Sequence, residues 1–121
     1  MSDIQSYRDL QVWQKAMTVA EACYALTKGF PKEEVYGITS QIRRASVSVA
    51  ANIAEGHGRE LTGSFIQFLR NSQGSLKELE THLLLCERVG LVQQQDTVTI
   101  LGLCDEIGRM LRSLIRSLEA R

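Results

Sequence analysis

Few residues of this chain have the type and spacing needed for catalysis or metal binding. Glu78 and His82 are four residues apart and share one face of a predicted helix. A metal site in a helical bundle needs Glu-x-x-His pairs from two helices, together with further carboxylates. Leu79, not glutamate, lies three residues before His82. We therefore interpret Glu78 and His82 as a solvated pair, and we predict neither a metal site nor a bound cofactor.

The second histidine, His57, lies between Gly56 and Gly58 in a segment that could be read as a phosphate-binding loop. Such loops normally follow a strand and continue into Lys followed by Ser or Thr. Here the segment joins two predicted helices, which favours a structural turn. The sequence also lacks a G-x-S-x-G motif, and we identify no catalytic Cys–His pair in it. We therefore predict that the chain is not an enzyme.

Cys23, Cys86 and Cys104 each fall in an apolar stretch and show no C-x-x-C spacing. This pattern predicts buried free thiols of a cytosolic protein. The first five residues are polar and do not have the plan of a signal peptide. No apolar run approaches the ~18 residues that a membrane-spanning helix needs. We therefore expect a cytoplasmic chain without membrane association.

The composition is that of one ordinary globular domain covering residues 1–121, with 44% hydrophobic and 23% charged residues. One proline and seven aromatic residues suit helices better than a sheet. The 14 basic and 14 acidic side chains give a net charge of zero. This balance argues against strong non-specific nucleic-acid binding by the monomer, although a local basic stripe remains compatible with it.

Apolar residues recur at helical spacing in four segments. The predicted helices cover about residues 7–28, 38–55, 63–89 and 96–119. Short connections favour antiparallel neighbours, so we predict an all-α fold, an antiparallel up-down-up-down four-helix bundle.

Individual residues suggest where these helices begin and end. Ser6 and Asp9 have capping-box spacing, and Asp96 is an N-cap candidate for the last helix. Gly56 is expected to stop the second helix and Gly90 the third.

Three further glycines, Gly74, Gly102 and Gly108, fall inside predicted helices. Glycine costs up to ~1 kcal/mol relative to alanine in a helix interior. We therefore expect close approach of a neighbouring helix at these positions.

One face of the second helix carries Arg44, Ser48, Ala51 and Glu55 at i, i+4, i+7 and i+11. Its small residues would let another helix approach closely. Two interpretations remain open: packing inside the bundle, or an oligomer interface. Asn52 lies beside this face and is expected to hydrogen-bond to a helix end or a loop.

Basic residues form two helical stripes that could follow a phosphate backbone. Acidic residues come early and arginines late in the fourth helix, an order that complements the helix dipole and fits a solvated face equally well. The few aromatic residues are expected in the core, which leaves few to stack on bases. The candidate nucleic-acid contacts are Arg43, Arg44, Arg59, Arg70, Lys77, Arg109, Arg112 and Arg116.

Several short residue strings occur one after another between about residues 6 and 118. The strings include Arg8-Asp9-Leu10, Val12-Trp13-Gln14-Lys15-Ala16, Phe30-Pro31, Tyr36-Gly37, Gln41-Ile42-Arg43-Arg44-Ala45-Ser46, Ala51-Asn52-Ile53-Ala54-Glu55-Gly56-His57-Gly58-Arg59, Phe68-Leu69 and Gly74-Ser75. Together they resemble the bacterial four-helix-bundle proteins related to 23S rRNA intervening-sequence proteins. That family is similar to the accessory variability determinant of diversity-generating retroelements. Ala50 replaces a proline that is usual in the family, which allows a straighter second helix.

The resemblance implies the same bundle, assembled as a homopentamer around a central channel. It also implies association with nucleic acid, because the intervening-sequence relatives are encoded within inserts in rRNA genes. The retroelement relative binds nucleic acid and a reverse transcriptase. Our hypothesis is a non-catalytic oligomeric bundle associated with RNA or DNA. The alternative is a protein-protein interaction scaffold with no nucleic-acid role, whose partner is another protein.

Overall fold

Four stretches with apolar residues at helical spacing form the four long helices of the computed structural model, which describes residues 4–121. The helices are α1 (Gln11–Thr27), α2 (Ile38–Gly58), α3 (Thr62–Arg88) and α4 (Gln94–Glu119). Short 3-10 turns, Tyr7–Asp9 and Lys32–Glu34, precede α1 and α2. No strand occurs among the described residues.

The helices pack as an antiparallel bundle in which α1 and α3 each contact both α2 and α4. Polar contacts between α2 and α3 show their register. Ser48 Oγ lies 2.8 Å from Ser75 Oγ, and Ser72 donates a 2.8 Å hydrogen bond to the carbonyl of Val49. Residue numbers rise along one helix as they fall along the other, so the two helices are antiparallel. The predicted four-helix bundle is confirmed.

The inward faces of all four helices supply a continuous apolar core. Its most deeply buried large side chains include Val19, Ile42, Val49, Ile53, Leu69, Leu76, Leu79, Leu83, Ile107 and Leu111. No helix among residues 4–121 combines the length and the apolar character needed to cross a membrane.

The three cysteines are buried and form no disulfide, as predicted. Loss of hydration raises the pKa of Cys23 to about 12, although a hydrogen bond with Ser46 partly opposes the shift. Burial likewise raises the pKa of Cys104 to about 12 and, for Cys86, above its ordinary value. The thiols therefore stay protonated at neutral pH.

Two helices begin at residues other than the predicted ones. The Ser6–Asp9 capping box exists, but it caps the 3-10 turn, because Leu10 is extended (φ −74°, ψ 123°) and separates that turn from α1. Helix α4 begins at Gln94, so Asp96 is not its N-cap. Asp96 lies in the first turn, where its carboxylate accepts a 2.9 Å hydrogen bond from the Gln93 N–H and complements the helix dipole.

Gly56 does not stop the second helix, which continues past it to Gly58. A Cβ on Gly56 would lie 2.5 Å from Phe68 Cβ and 3.2 Å from Phe65 Cδ1. Glycine is therefore required at this position for close approach of α3. Ala50 lies inside the same uninterrupted helix.

The close approach expected at two mid-helix glycines is wrong. No neighbouring atom lies within 4 Å of a Cβ built on Gly74 or Gly102. At Gly108, Leu76 Cδ2 would be 3.6 Å away, an ordinary van der Waals distance. Only Gly56 is needed for close helix packing.

Candidate functional site

Four of the candidate nucleic-acid contacts already have acidic partners within the bundle. An ion-paired cation has less of its charge available to a phosphate than a free one. The shortest N–O distances are 3.5 Å for Arg44–Glu78, 3.0 Å for Arg59–Glu55, 2.6 Å for Arg70–Glu119 and 3.1 Å for Lys77–Glu80.

A fifth candidate, Arg43, connects α2 to α1. Its Nε donates a 2.9 Å hydrogen bond to Thr27 Oγ1, and its guanidinium lies 4.6 Å from the centre of the Tyr24 ring. Cation–π contact and hydrogen bonding hold the side chain against its own bundle. The structure therefore gives Arg43 a structural role.

The remaining three candidates, Arg109, Arg112 and Arg116, lie together on the exposed side of α4. With Ser113 they line a shallow hollow of about 300 Å³. None of the three forms an ion pair with any residue in the described range 4–121, and the i, i+4 spacing from Asp105 to Arg109 produces no salt bridge there. We call Arg109, Arg112, Ser113 and Arg116 the arginine face.

The structure divides the four residues of the predicted oligomer interface. Arg44 and Ser48 interact with α3, and Glu55 pairs with Arg59. Ala51 lines an apolar groove between α1 and α2, and Arg44 and Ser48 line a hollow beside that groove. Asn52 donates a 2.8 Å hydrogen bond to the Ser48 carbonyl, so it stabilises its own helix and does not tie down a helix end or loop as expected.

This apolar groove, of about 620 Å³, runs between the outer sides of α1 and α2. Its lining includes Trp13, Met17, Tyr24, Val47, Ala51 and Ala54. Met17, Tyr24 and Val47 are 38%, 42% and 45% exposed. Exposed apolar side chains are unremarkable singly, and a contiguous group is a candidate for an interaction surface.

Two charged residues of α1, Glu21 and Lys28, also line the groove. Both are exposed, and neither forms an ion pair with a residue that the structure describes. The groove therefore combines an apolar surface with one unpaired charge of each sign.

Tyr36, which the sequence analysis did not single out, is 95% exposed. It follows the 3-10 turn Lys32–Glu34, and the adjacent Val35 is also exposed. The expectation that the aromatic residues lie in the core is therefore wrong for Tyr36, and for Tyr24 in part. Tyr36 lies in a charged turn and outside both neighbouring apolar stripes, a signal that could have revealed its exposure.

The prediction of a solvated Glu78–His82 pair holds for Glu78, whose side chain is 42% exposed, but not for His82. His82 Nε2 lies 3.6 Å from Glu78 Oε2, and the histidine side chain is only 19% exposed. Glu78 also faces Arg44 from α2, so the three side chains lie together beside the α2–α3 contact. Among residues 4–121, no group of three or more His, Cys, Asp or Glu residues has metal-binding geometry.

Comparison with known families relates this geometry to other proteins. The sequence model of the 23S rRNA-intervening sequence protein family matches residues 8–113. The chain belongs to this family. The match covers α1, α2 and α3 entirely and most of α4, including Arg109 and Arg112.

A solved structure shares the fold of this 23S rRNA-intervening sequence protein. It is the crystal structure of a protein of unknown function from the S23 ribosomal protein family of Bacteroides thetaiotaomicron VPI-5482. The two chains are 24% identical with a TM-score of 0.77, and the match covers 86% of this chain and 97% of the other. No curated protein matches this chain. Neither the family's name nor the description of this neighbour indicates a catalytic activity.

Proposed function

We propose that this family member is a non-catalytic homo-oligomer that binds the phosphate backbone of RNA or DNA through its arginine face. The observation that carries the proposal is that Arg109, Arg112 and Arg116 have no acidic partner among the described residues, whereas four other candidates are ion-paired. We place this role in the cytoplasm, whose reducing conditions suit unpaired cysteines.

The arginine face has the chemistry that a phosphate backbone requires. A guanidinium group is always charged at neutral pH and presents a planar set of donors that matches phosphate oxygens. The i, i+3, i+7 spacing places Arg109, Arg112 and Arg116 on successive turns of α4, spread over about 10 Å along the helix. Because the whole chain has no net charge, attraction must come from this local group.

Assembly would strengthen a surface that is modest in one copy. Three phosphate contacts give a weak and salt-sensitive interaction. The resemblance to a homopentameric family favours five copies, which would repeat the arginine face five times and add avidity to each contact. The similarity to the accessory variability determinant of retroelements, which binds nucleic acid, supports the same role, as does the family's connection with inserts in 23S rRNA genes.

Fluorescence anisotropy with labelled rRNA fragments and single-stranded DNA tests the nucleic-acid role. At ~50 mM salt, where phosphate contacts are strong, we expect binding that weakens steeply as salt increases. The triple variant Arg109→Gln/Arg112→Gln/Arg116→Gln should bind about tenfold or more weakly and should flatten the dependence of log K on log salt by roughly 2–3 per copy.

The matched control removes the same number of cations from positions that are already ion-paired. Arg59→Gln/Arg70→Gln/Lys77→Gln should retain most of the binding, because these cations are partly neutralised by Glu55, Glu119 and Glu80. Equal losses in both triple variants would point to overall charge and contradict a specific role of the arginine face. Absence of binding by the wild type at ~50 mM salt would rule out the nucleic-acid role.

The apolar groove favours a second candidate, a protein-protein interaction scaffold with no nucleic-acid role. Contiguous exposed apolar side chains are typical of protein interfaces. Pull-down from lysate after nuclease treatment separates the two candidates. Partners retained after digestion of nucleic acid favour the scaffold, whereas partners lost with the nucleic acid oppose it.

A further inference from the structure

The apolar groove and Tyr36 are two conspicuous surfaces that the bundle itself does not use. We propose that Tyr36 of one copy inserts into the groove of the next copy, and that this contact links successive subunits of the homo-oligomer. The inference rests on the assembly in the proposed function and names the surfaces that form it. It adds Tyr36 and the groove to the predicted interface, whose Ala51 lines the groove.

The groove has the surface of an aromatic-binding socket. The groove is surrounded by Trp13, Met17, Tyr24 and Val47. Its α2 side also includes the small residues Ala51 and Ala54. Its volume of about 620 Å³ is ample for an aromatic side chain and its neighbours. Covering it would remove from water the exposed apolar area of Met17, Tyr24 and Val47, which is the main driving force of association.

Tyr36 is well suited to fill such a socket. Aromatic side chains with a polar end are over-represented among the residues that dominate interface energies. The backbone that carries Tyr36 is held by hydrogen bonds from Glu34 N–H to Pro31 O and from Val35 N–H to Lys32 O, and from Gly37 N–H to Glu34 O, at 3.0–3.1 Å. Because the turn is already ordered, little entropy is lost when Tyr36 docks.

The charges beside the two surfaces allow pairing between copies, which favours a second copy of this chain as the occupant. Glu21 and Lys28 flank the groove, and the turn that precedes Tyr36 carries Lys32 and Glu33. All four are exposed and lack an ion-pair partner among residues 4–121. A docked copy can therefore bring Lys32 to Glu21 and Glu33 to Lys28.

The groove and Tyr36 are neighbouring surfaces of one chain, because Tyr24 and Val47 line both the groove and the hollow that Tyr36 lines. At 95% exposure, Tyr36 does not fill the groove of its own chain. Each copy consequently offers one free tyrosine and one free groove. Two copies that return the contact form a closed two-fold pair, whereas a contact that is not returned repeats from copy to copy until a ring closes.

Light scattering coupled to gel filtration tests the proposal with two complementary variants. Tyr36→Ser removes the tyrosine and keeps the groove, whereas Met17→Glu keeps the tyrosine and places a charge in the groove. Wild type should have a mass at least twice the 13.5 kDa of one chain, and each variant alone should shift to 13.5 kDa. An equimolar mixture should form a one-to-one heterodimer, because a single intact tyrosine–groove contact remains and cannot extend.

A matched control and a charge exchange complete the test. Leu84→Glu places the same charge on another exposed apolar residue, on α3, and should leave the oligomer intact. Glu21→Lys should weaken assembly, and adding Lys32→Glu in the same chain should restore it. Circular dichroism checks that each variant remains helical.

The possible failures are distinguishable. A wild type of 13.5 kDa would overturn the proposed assembly itself. An oligomeric wild type whose mass is unchanged by Tyr36→Ser and by Met17→Glu would overturn only the tyrosine–groove contact. A mixture of the two monomeric variants that remains monomeric would also overturn this contact.

Discussion

The inner side of the α1–α2 pair is packed against the rest of the bundle, whereas its outer side is partly exposed. On the inner side, Cys23 is fully buried, Val49 accepts a hydrogen bond from Ser72, and Gly56 lies against Phe68. On the outer side, apolar side chains such as Met17 and Val47 remain exposed around the groove.

This difference separates the residues that specify the fold from those available for function. Cys23 and Tyr24 are adjacent in the chain, yet one is buried in the core and the other lines the groove. Substitutions on the inner side are expected to destabilise the bundle, because the side chains there are packed against the neighbouring helices. The exposed apolar side chains of the outer side contribute less to the core, so their substitution should cost the bundle less stability.

The largest expected effect concerns the buried thiols of the inner side. Since burial raises the pKa of Cys23 and Cys104 from 9.0 to about 12, their contribution to stability is complete below pH 9 and is lost as the pH rises toward 12. The free energy of unfolding should fall by about 3 kcal/mol per thiol by pH 11. Urea denaturation at pH 7, 9, 10 and 11 measures this loss.

The variant Cys23→Ala/Cys104→Ala controls for the tyrosines and lysines that titrate in the same range. It should be less stable than wild type at pH 7, but its stability should fall less steeply above pH 9. Parallel curves for the variant and the wild type would contradict the assignment of the loss to these thiols.

The next largest effect is expected at Gly56, where an added methyl group would overlap Phe68. Gly56→Ala should destabilise the protein by about 1–3 kcal/mol, because α2 and α3 would have to separate. Denaturant unfolding measures the change. Gly58→Ala is the matched control, since no atom lies within 4 Å of the added Cβ, and it should not destabilise. A similar loss of stability in both variants would show that the loss at Gly56 does not come from its contact with α3.

Exposed helix positions should respond in the opposite direction. At Gly74 and Gly102 an added Cβ would meet open space, so only helix propensity changes. Each substitution by alanine should stabilise the bundle by roughly 0.5–1 kcal/mol, and the two gains should add. Thermal and denaturant unfolding provide the measurement. Destabilisation by Gly74→Ala would indicate that another surface packs against α3 at this position. It would then contradict the assignment of Gly74 as an exposed position.

The inner side was predictable from sequence, but its close contacts were not. Residues such as Ile42, Leu79 and Ile107 are buried as their helical spacing indicates. A glycine that ends a helix and one that admits a neighbouring helix both lack a Cβ, so sequence alone did not separate Gly56 from Gly90. In the structure Gly90 has φ +81° beyond the end of α3, whereas Gly56 remains helical.

The candidate site was only partly predictable, for a physical reason. Spacing places Arg109, Arg112 and Arg116 on one face because they belong to one helix. The partners of Arg44 and Arg70 lie on other helices, and the alignment of those helices depends on the three-dimensional packing. Tyr36 differs, because its position in a charged turn outside both neighbouring apolar stripes already indicated its exposure. Sequence therefore predicts which residues share a helix face better than it predicts which helix faces contact each other.

The short connection between α2 and α3 has a consequence for the order of folding. Only residues 59–61 separate the two helices, so closing this hairpin costs little chain entropy. We expect the hairpin to form in the transition state, before α1 and α4 dock. Stopped-flow refolding should then show that Ser72→Ala slows folding, whereas Val19→Ala mainly accelerates unfolding. The same three-residue link would make α2–α3 the earliest native unit of the newly synthesised chain.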